Sequence, residues 1–354
     1  MTDAPDQAAG QGSAGTGPDA GDAPASARGE AAPIPAGQPI SVIVPHLNQP
    51  EPLERCLASL SAQIAPERLE EIIVVDNGSS PTPEAIVARF PKVRLLEERT
   101  PGPGPARNKG ARAARGEILA FIDADCTARA DWIAVIARAF AADPHVTVLG
   151  GDVQVPAAGP RRTAVEAYEA VFAYRMKEYV ARHGFTGTGN LAVRRETFVE
   201  VGPFAGIGIA EDRDWGQRAL ALGHRVRHEP EMVVFHPARR TFAELAEKWD
   251  RHVAHDFATW EDRGGSRAGW LLRAFAVGAS PPFEIPRILG SDRVETLRDR
   301  LLAFVCLVRI RLHRARRMAS LAFGEPDAPS SRAWNRPGNP SSADGASPVC
   351  IPND

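Results

Sequence analysis

The feature that most constrains this chain is a recurrence of short, wholly apolar runs, each followed by polar residues and then by a helical pattern. Ser41–Val44 runs into Pro45-His46-Leu47-Asn48-Gln49, and Leu53, Cys56, Leu57 and Leu60 follow at helical spacing. Ile72–Val75 is stopped by Asp76-Asn77-Gly78. A helical stretch over 83–90 precedes Val93–Leu96, and another over 106–114 leads to Ile118–Ile122. Strands that are apolar on both faces and alternate with helices predict an α/β fold, a mostly parallel sheet flanked by helices. Ligands of such sheets bind beyond the carboxyl ends of the strands, so the polar residues after each run are the ones to examine. The second half is less regular, with helical patterns near 163–182, 211–222 and 242–259 and a strand-like Asn190–Val193.

The ends have another character. Residues 1–39 hold 11 Ala, 7 Gly and 6 Pro without apolar periodicity, and 325–354 hold six Pro and five Ser, so both are expected to be disordered tails. The tails carry nine of the 44 acids and three of the 42 bases, which leaves a mildly cationic middle dominated by arginine. That balance suits a phosphorylated substrate and is too weak to indicate nucleic acid. Four scattered cysteines without a CxxC pair argue against a disulfide framework or a cysteine-rich zinc site. No signal peptide and no run of about 20 apolar residues is found, so a cytoplasmic protein is expected.

The sharpest chemical feature is Phe121-Ile122-Asp123-Ala124-Asp125-Cys126, an apolar strand running into two carboxylates. Carboxylates that close repel unless a cation sits beside them, and a hard divalent ion such as Mg²⁺ or Mn²⁺ holding phosphate oxygens would supply it. The plainer reading is that Asp125 or Thr127 caps the helix starting near Ala130. Asp76 can accept from a nucleobase N–H, although Asp-Asn-Gly-Ser is also turn chemistry. Gly102–Gly110 places Arg107 near a helix start, where an anion is welcome. Glu211, Asp212 and Asp214 are either first-turn acids favoured by the helix dipole or, for Asp212, a proton acceptor set apart from the metal pair.

In order, SVIVPHLNQPEPLERCLASL, IIVVDNGSS, GPARNKGARAARGEILAFIDADC, TGTGNLAVRRETFVEVGPF and AEDRDWGQRALALGHRV resemble the successive blocks of family 2 glycosyltransferases, over about residues 40–260. The resemblance implies a GT-A type, Rossmann-like fold and inverting, metal-dependent transfer of one sugar from a nucleotide-diphosphate sugar to a glycan or lipid-linked acceptor hydroxyl. It puts Pro45 and Asn48 beside the nucleotide, Asp76 on the base and Arg107 near base and phosphates. It makes Asp125 a direct metal ligand, with Asp123 shared between ribose and metal. Gly189 and Asn190 lie in a loop beneath donor sugar and acceptor, Asp212 is the catalytic base, Glu211 an orienting group, and His236 a late metal ligand. The resemblance also implies a setting in surface polysaccharide or glycoconjugate assembly.

A Gln-x-x-Arg-Trp sequence is absent after the acidic pair, which favours single addition over processive synthesis. The stiff Gly102–Pro105 stretch departs from the small-residue loop of the family. Residues 261–324 are expected to form a helical extension. Within it Leu297, Leu301, Phe304 and Val308 precede Arg309, Arg311, Arg314, Arg316 and Arg317. Residues 297–317 are thus either an amphipathic helix on the inner membrane surface or a helix packed on the domain with solvated arginines. Two rivals to the family reading are a nucleotidyltransferase, against which the glycine- and lysine-free loop Pro45–Gln49 counts, and a non-catalytic sugar-nucleotide binding module.

Overall fold

A computed structural model describes residues 38–207 and 209–324. The two expected tails fall outside the described residues, apart from Gln38 and Pro39. The first half alternates as its apolar pattern requires: β1 (Ile40–His46), α1 (Pro50–Ser61), β2 (Leu69–Asp76), α2 (Glu84–Val87), β3 (Val93–Glu97), α3 (Pro103–Ala113) and β4 (Ile118–Ile122). Then come β5 (Thr127–Ala128), α4 (Trp132–Ala142), β6 (Val148–Gln154), α5 (Ala164–Phe172), α6 (Met176–His183), β7 (Asn190–Arg194), α7 (Arg195–Val201), α8 (Glu211–Ala221) and β8 (Val226–Phe235). The last helices are α9 (Phe242–Asp262), α10 (Arg267–Ala279), α11 (Ile285–Leu289) and α12 (Leu297–Ala322).

The eight strands form one sheet in the order β3-β2-β1-β4-β7-β6-β8-β5. It is parallel from β3 to β4 and mixed beyond, because β7 runs antiparallel to both β4 and β6. Parallel pairing, as expected, makes up the first half and recurs between β6 and β8, and β7 and β5 add the antiparallel ladders. Isoleucine and valine alternate across β1 to feed two cores. Ile40, Val42 and Val44 face Leu53, Leu57 and Trp132, while Ile43 joins Phe121, Phe198 and Trp215 on the other side. Burying both faces in this way is what makes the strands continuously apolar.

Register decides where the polar residues meet. His46 pairs with Asp76, and Ile43 with Phe121, so β1, β2 and β4 end at one rim. The antiparallel β7 starts there, with Asn190 opposite Ile122. β8 ends there too: Phe235 pairs with Thr127, which sets His236 beside the segment leaving β4.

Two readings of the second half need correction. The helical stretch over 163–182 is two helices, α5 and α6, separated at 173–175. In α12 the packed face is Ala303, Cys306, Leu307 and Ile310, which joins α5 and α9 in one apolar cluster. Phe304 and Val308 are only half-buried, Leu297 and Leu301 stay exposed, and Arg314, expected to be solvated, lies buried against the Trp249 ring at 3.8 Å from its centre. Its long aliphatic stem and planar head let arginine occupy such a slot. No helix among the described residues is long and apolar enough to cross a membrane.

Asn190 is the polar lock of the sheet's centre. Its amide donates to the carbonyls of Asp152 (2.8 Å) and Met232 (2.7 Å), and its Oδ1 accepts from Trp132 Nε1 (2.9 Å). Asn190→Ala would leave three buried groups without partners, at about 1–3 kcal/mol for each. We expect denaturant unfolding to show a loss of several kcal/mol, and a loss below about 1 kcal/mol would contradict this assignment.

Candidate active site

The rim begins with two interlocked loops. Asn48 has φ of 51°, a left-handed conformation that asparagine tolerates. Its backbone N–H donates to Ser79 Oγ (2.8 Å), and its Oδ1 accepts from the Ser80 N–H (2.9 Å). Beneath it His46 Nε2 accepts from the Gln49 N–H, so its Nδ1 carries the proton and donates to Asp76 Oδ1 (3.0 Å). Asp76 Oδ2 accepts from the N–H groups of Ser79 (3.0 Å) and Gly78 (3.3 Å). Burial pushes the Asp76 carboxyl up, but the bonds from His46 and Ser79 outweigh it and hold it below the usual carboxylate range. Asp76 is therefore a fixed anion with most of its acceptor capacity already engaged.

Asn77 extends the frame. Its amide donates to the carbonyls of Glu98 and Thr100, and its Oδ1 accepts from the Gly102 N–H (2.8 Å). This clamp sets the start of α3, where Gly102 has φ of 121° and a Cβ would press on Ile207. The proline-spaced stretch is thus accommodated, with Pro103 opening the helix.

Arg107, on α3, is fully buried. Its Nη2 donates to Asp123 Oδ1 at 2.5 Å and its Nη1 to Glu211 Oε1 at 2.9 Å. Its terminal nitrogens thus bridge the end of β4 and the start of α8, instead of lying open to an incoming anion. Charge-assisted bonds of this kind are among the stronger ones available to a buried cation. Gly189 comes so near that a Cβ there would collide with the Asp123 carboxylate.

Asp125 points the other way. Its Oδ2 lies 3.4 Å from His236 Nε2, and its Oδ1 accepts from the Cys126 thiol at 3.8 Å. His236 Nδ1 lies 2.7 Å from the Pro237 carbonyl, which only accepts, so Nδ1 carries the proton and Nε2 is the atom aimed at Asp125. A neutral imidazole thus sets a lone pair against a carboxylate, and the pair is favourable only with a cation or a proton between them. Burial alone would lower His236, but Asp125 raises it, and His236 in turn holds Asp125 low against burial. The donor set fits a divalent cation, with the carbonyl partner orienting the ring as ligating histidines require. Cys126, set aside on the spacing of the cysteines, belongs to this cluster: its Sγ, a carboxylate oxygen of Asp125 and a ring nitrogen of His236 lie within 4.8 Å of one another. Proximity to the double-aspartate motif was the only signal available in the sequence.

Asp212 occupies the first turn of α8, 2% exposed. Oδ1 accepts from the Arg213 N–H (2.7 Å), while Oδ2 is buried with no hydrogen-bond partner among the described residues. Burial, and next the neighbouring Glu211 carboxylate, push its pKa up to about 7.

These residues border two clefts that meet at Asp123. One is lined by Pro45, His46, Gln49, Asn77, Arg107 and Asp125. The other is lined by Tyr174, Met176, Gly187–Asn190, Asp212, Cys126 and His236. Of the expected site residues, Pro45, Arg107, Asp123, Asp125, Gly189, Asn190, Asp212 and His236 line one or the other. Asp76, Asn48 and Glu211 support the walls, and the Asn190 side chain is occupied within the protein. Tyr174, whose ring centre lies 4.9 Å from that of His236, and Met176 belong to the aromatic and charged segment 168–179, which reads in sequence as core and face in preference to an acceptor groove; the break between α5 and α6 turns both into the cleft.

Residues 41–207 match the description "Glycosyl transferase family 2". The chain is 32% identical over 250 residues to "Glycosyltransferase AglE" of Haloferax volcanii, covering 67% of this chain and 81% of the relative. It is 27% identical over 216 residues to "Pre-mycofactocin glycosyltransferase" of Mycobacterium tuberculosis, covering 58% and 44%. Among solved structures, a mannosyltransferase from Pyrobaculum calidifontis in complex with GDP-Man and Mn²⁺ aligns with a TM-score of 0.49 at 21% identity, covering 81% of this chain and 88% of that one.

The Asp212 environment has a consequence for stability. The fold raises this carboxyl from 3.8 to about 7, so it favours the protonated form, and stability is lost as pH rises through that interval. Asp212→Asn should therefore be more stable than the parent at pH 8, by about 2–4 kcal/mol, with the gain shrinking toward pH 4. Urea denaturation at the two pH values checks this, and equal stability at pH 8 would contradict it.

Proposed function

For this chain, which belongs to glycosyltransferase family 2 and uses a nucleotide-sugar donor, we propose inverting, metal-dependent transfer of a single sugar to an acceptor hydroxyl. In this reading the nucleotide occupies the cleft lined by Pro45, His46 and Asn77, with Asp76 held anionic beneath it. The sugar lies across Asp123 and Gly189, and the acceptor enters beside Asp212, Tyr174 and Met176. The observation that carries the reading is Asp212: a carboxylate with an unpartnered buried oxygen, on the acceptor side of the shared wall and poised near neutrality.

Asp212 Oδ2 is the atom that takes the acceptor proton as the hydroxyl attacks. A base whose pKa lies near the working pH is ionised often enough to act and basic enough to pull the proton. Glu211, held by Arg107, orients that helix turn rather than accepting the proton. Asp125 and His236, with Asp123 at the adjoining wall, would hold Mn²⁺ or Mg²⁺. When bound, such an ion supplies positive charge against the growing charge of the diphosphate leaving group. Arg107 keeps Asp123 from turning away, and Gly189 leaves room for a sugar against that carboxylate.

We assign 40–260 to the catalytic domain and 261–324 to a helical extension, in a protein that works in the cytoplasm on surface polysaccharide or glycoconjugate assembly. A lipid-linked acceptor and peripheral contact with an anionic bilayer are supported by one stripe of α12, where exposed Leu297, Leu301, Val305 and Leu312 alternate with exposed Arg309 and Arg316. Cosedimentation with anionic vesicles should be lost in Leu301→Glu, and equal binding of parent and variant would remove this part of the proposal.

The activity test uses a panel of nucleotide sugars with Mn²⁺ or Mg²⁺. One donor should be transferred or slowly hydrolysed. Asp125→Ala should lose metal-dependent donor binding. Asp212→Asn should keep donor binding while its rate falls by about 10²–10⁴. A normal rate in Asp212→Asn would show that another group is the base.

A further inference from the structure

The geometry points to Cys126 as a third protein ligand beside Asp125 and His236, which makes this a site for thiophilic divalent ions such as Zn²⁺ as well as for hard ones. The inference deepens the metal site of the proposed function and rests on Asp125 and His236 being ligands there. The register that pairs Thr127 with Phe235 sets Cys126 and His236 on adjoining strand ends, one residue before and one residue after the paired positions.

The two oxygens of Asp125 each face one of the other donors, with Oδ1 3.8 Å from Cys126 Sγ and Oδ2 3.4 Å from His236 Nε2. Tetrahedral zinc, with Zn–S of about 2.3 Å and Zn–N or Zn–O of about 2.0 Å, sets S and O about 3.5 Å apart and N and O about 3.3 Å apart. Those two contacts use different oxygens, but one oxygen of Asp125, Cys126 Sγ and a ring nitrogen of His236 lie within 4.8 Å of one another, so side-chain rotation brings all three onto a shared ion. Three protein donors leave a fourth position open to the cleft that Cys126 and His236 both line, which is the arrangement of an accessible zinc site. The Pro237 carbonyl already directs the His236 ring so that Nε2 is the donor.

Cys126 is buried and carries its proton in the free protein, so ligation replaces the S–H bond by a metal–sulfur bond and releases one proton to solvent. A thiolate donor shifts preference along the divalent series toward Co²⁺ and Zn²⁺ and away from Mg²⁺ and Mn²⁺, for which sulfur is a poor ligand. The Asp125–His236 pair alone already ranks Co²⁺ and Zn²⁺ above Mn²⁺, and a thiolate widens that gap. The residue beside the double-aspartate motif therefore decides which ions compete for the donor's diphosphate.

The test uses the full chain, stripped with a chelator and titrated with Co²⁺ as a coloured stand-in for zinc. The expected result is a near-ultraviolet thiolate-to-cobalt charge-transfer band that saturates at about one equivalent, with proton release of the same stoichiometry. Cys126→Ser should lose the band while Mn²⁺ still raises its melting temperature in the presence of a nucleoside diphosphate. X-ray absorption at the zinc edge of the unsubstituted protein gives an independent readout should that variant not fold: one sulfur at about 2.3 Å is expected. The same cobalt spectrum in parent and Cys126→Ser, or a zinc shell without sulfur, would overturn the inference. If Mn²⁺ and nucleotide stabilise the parent while no sulfur is found, only the thiolate ligand fails. If no divalent ion binds at all, the metal site of the proposed function fails with it.

Discussion

A buried guanidinium organises this rim. Arg107 is fully buried, and a charge so placed is stable only when counter-charges and hydrogen bonds surround it. Asp123 and Glu211 supply them from opposite directions, one 16 residues onward at the end of β4, the other 104 residues onward at the start of α8. One side chain thus ties the parallel half of the sheet to the first turn of a helix in the second half. Removing either carboxylate would leave a buried charge short of a partner, so the two acids are coupled through a group that is itself part of the cleft wall.

That coupling explains why adjacent acids differ so much. Glu211 is engaged by the guanidinium, whereas Asp212, one residue on, lines the second cleft with one oxygen buried and unpartnered among the described residues and a like charge beside it. Asp76, at the far end of the same rim, shows the opposite: burial is overcome by His46 and Ser79, and the carboxyl is fixed as an anion. The sheet therefore presents acids of different kinds along one edge. One is locked ionised behind the cleft lined by Pro45 and His46, a pair stands at the junction with a histidine beside it, and one in the cleft lined by Tyr174 and Met176 has its carboxyl pushed up to about 7.

Much of this was legible in the residues. The apolar runs of β1, β2, β3 and β4 located the parallel half, and the polar residues after them marked the rim. What stayed hidden had physical reasons. β6 is interrupted by Gly150 and Gly151, and β8 carries Arg227, His228, Glu229 and Glu231, so neither reads as a strand until its neighbours supply a ladder. Arg107 reads from its helix start as an anion contact, and only the meeting of two distant carboxylates turns it into a bridge. Asn190 lies in the expected glycine-rich loop, yet its amide is consumed by Asp152, Met232 and Trp132. Cys126 gained its setting from a strand pairing between 127 and 235 that no local pattern announces.

The most direct test of this account is the pH dependence of the transfer rate with donor, acceptor and metal all saturating. If Asp212 is the proton acceptor, the rate should climb as pH rises and level off above an apparent pKa near 7. A rate that stays flat from about pH 5 to 8 would mean that no group of this kind ionises on the way to the transition state, and the central assignment would be wrong.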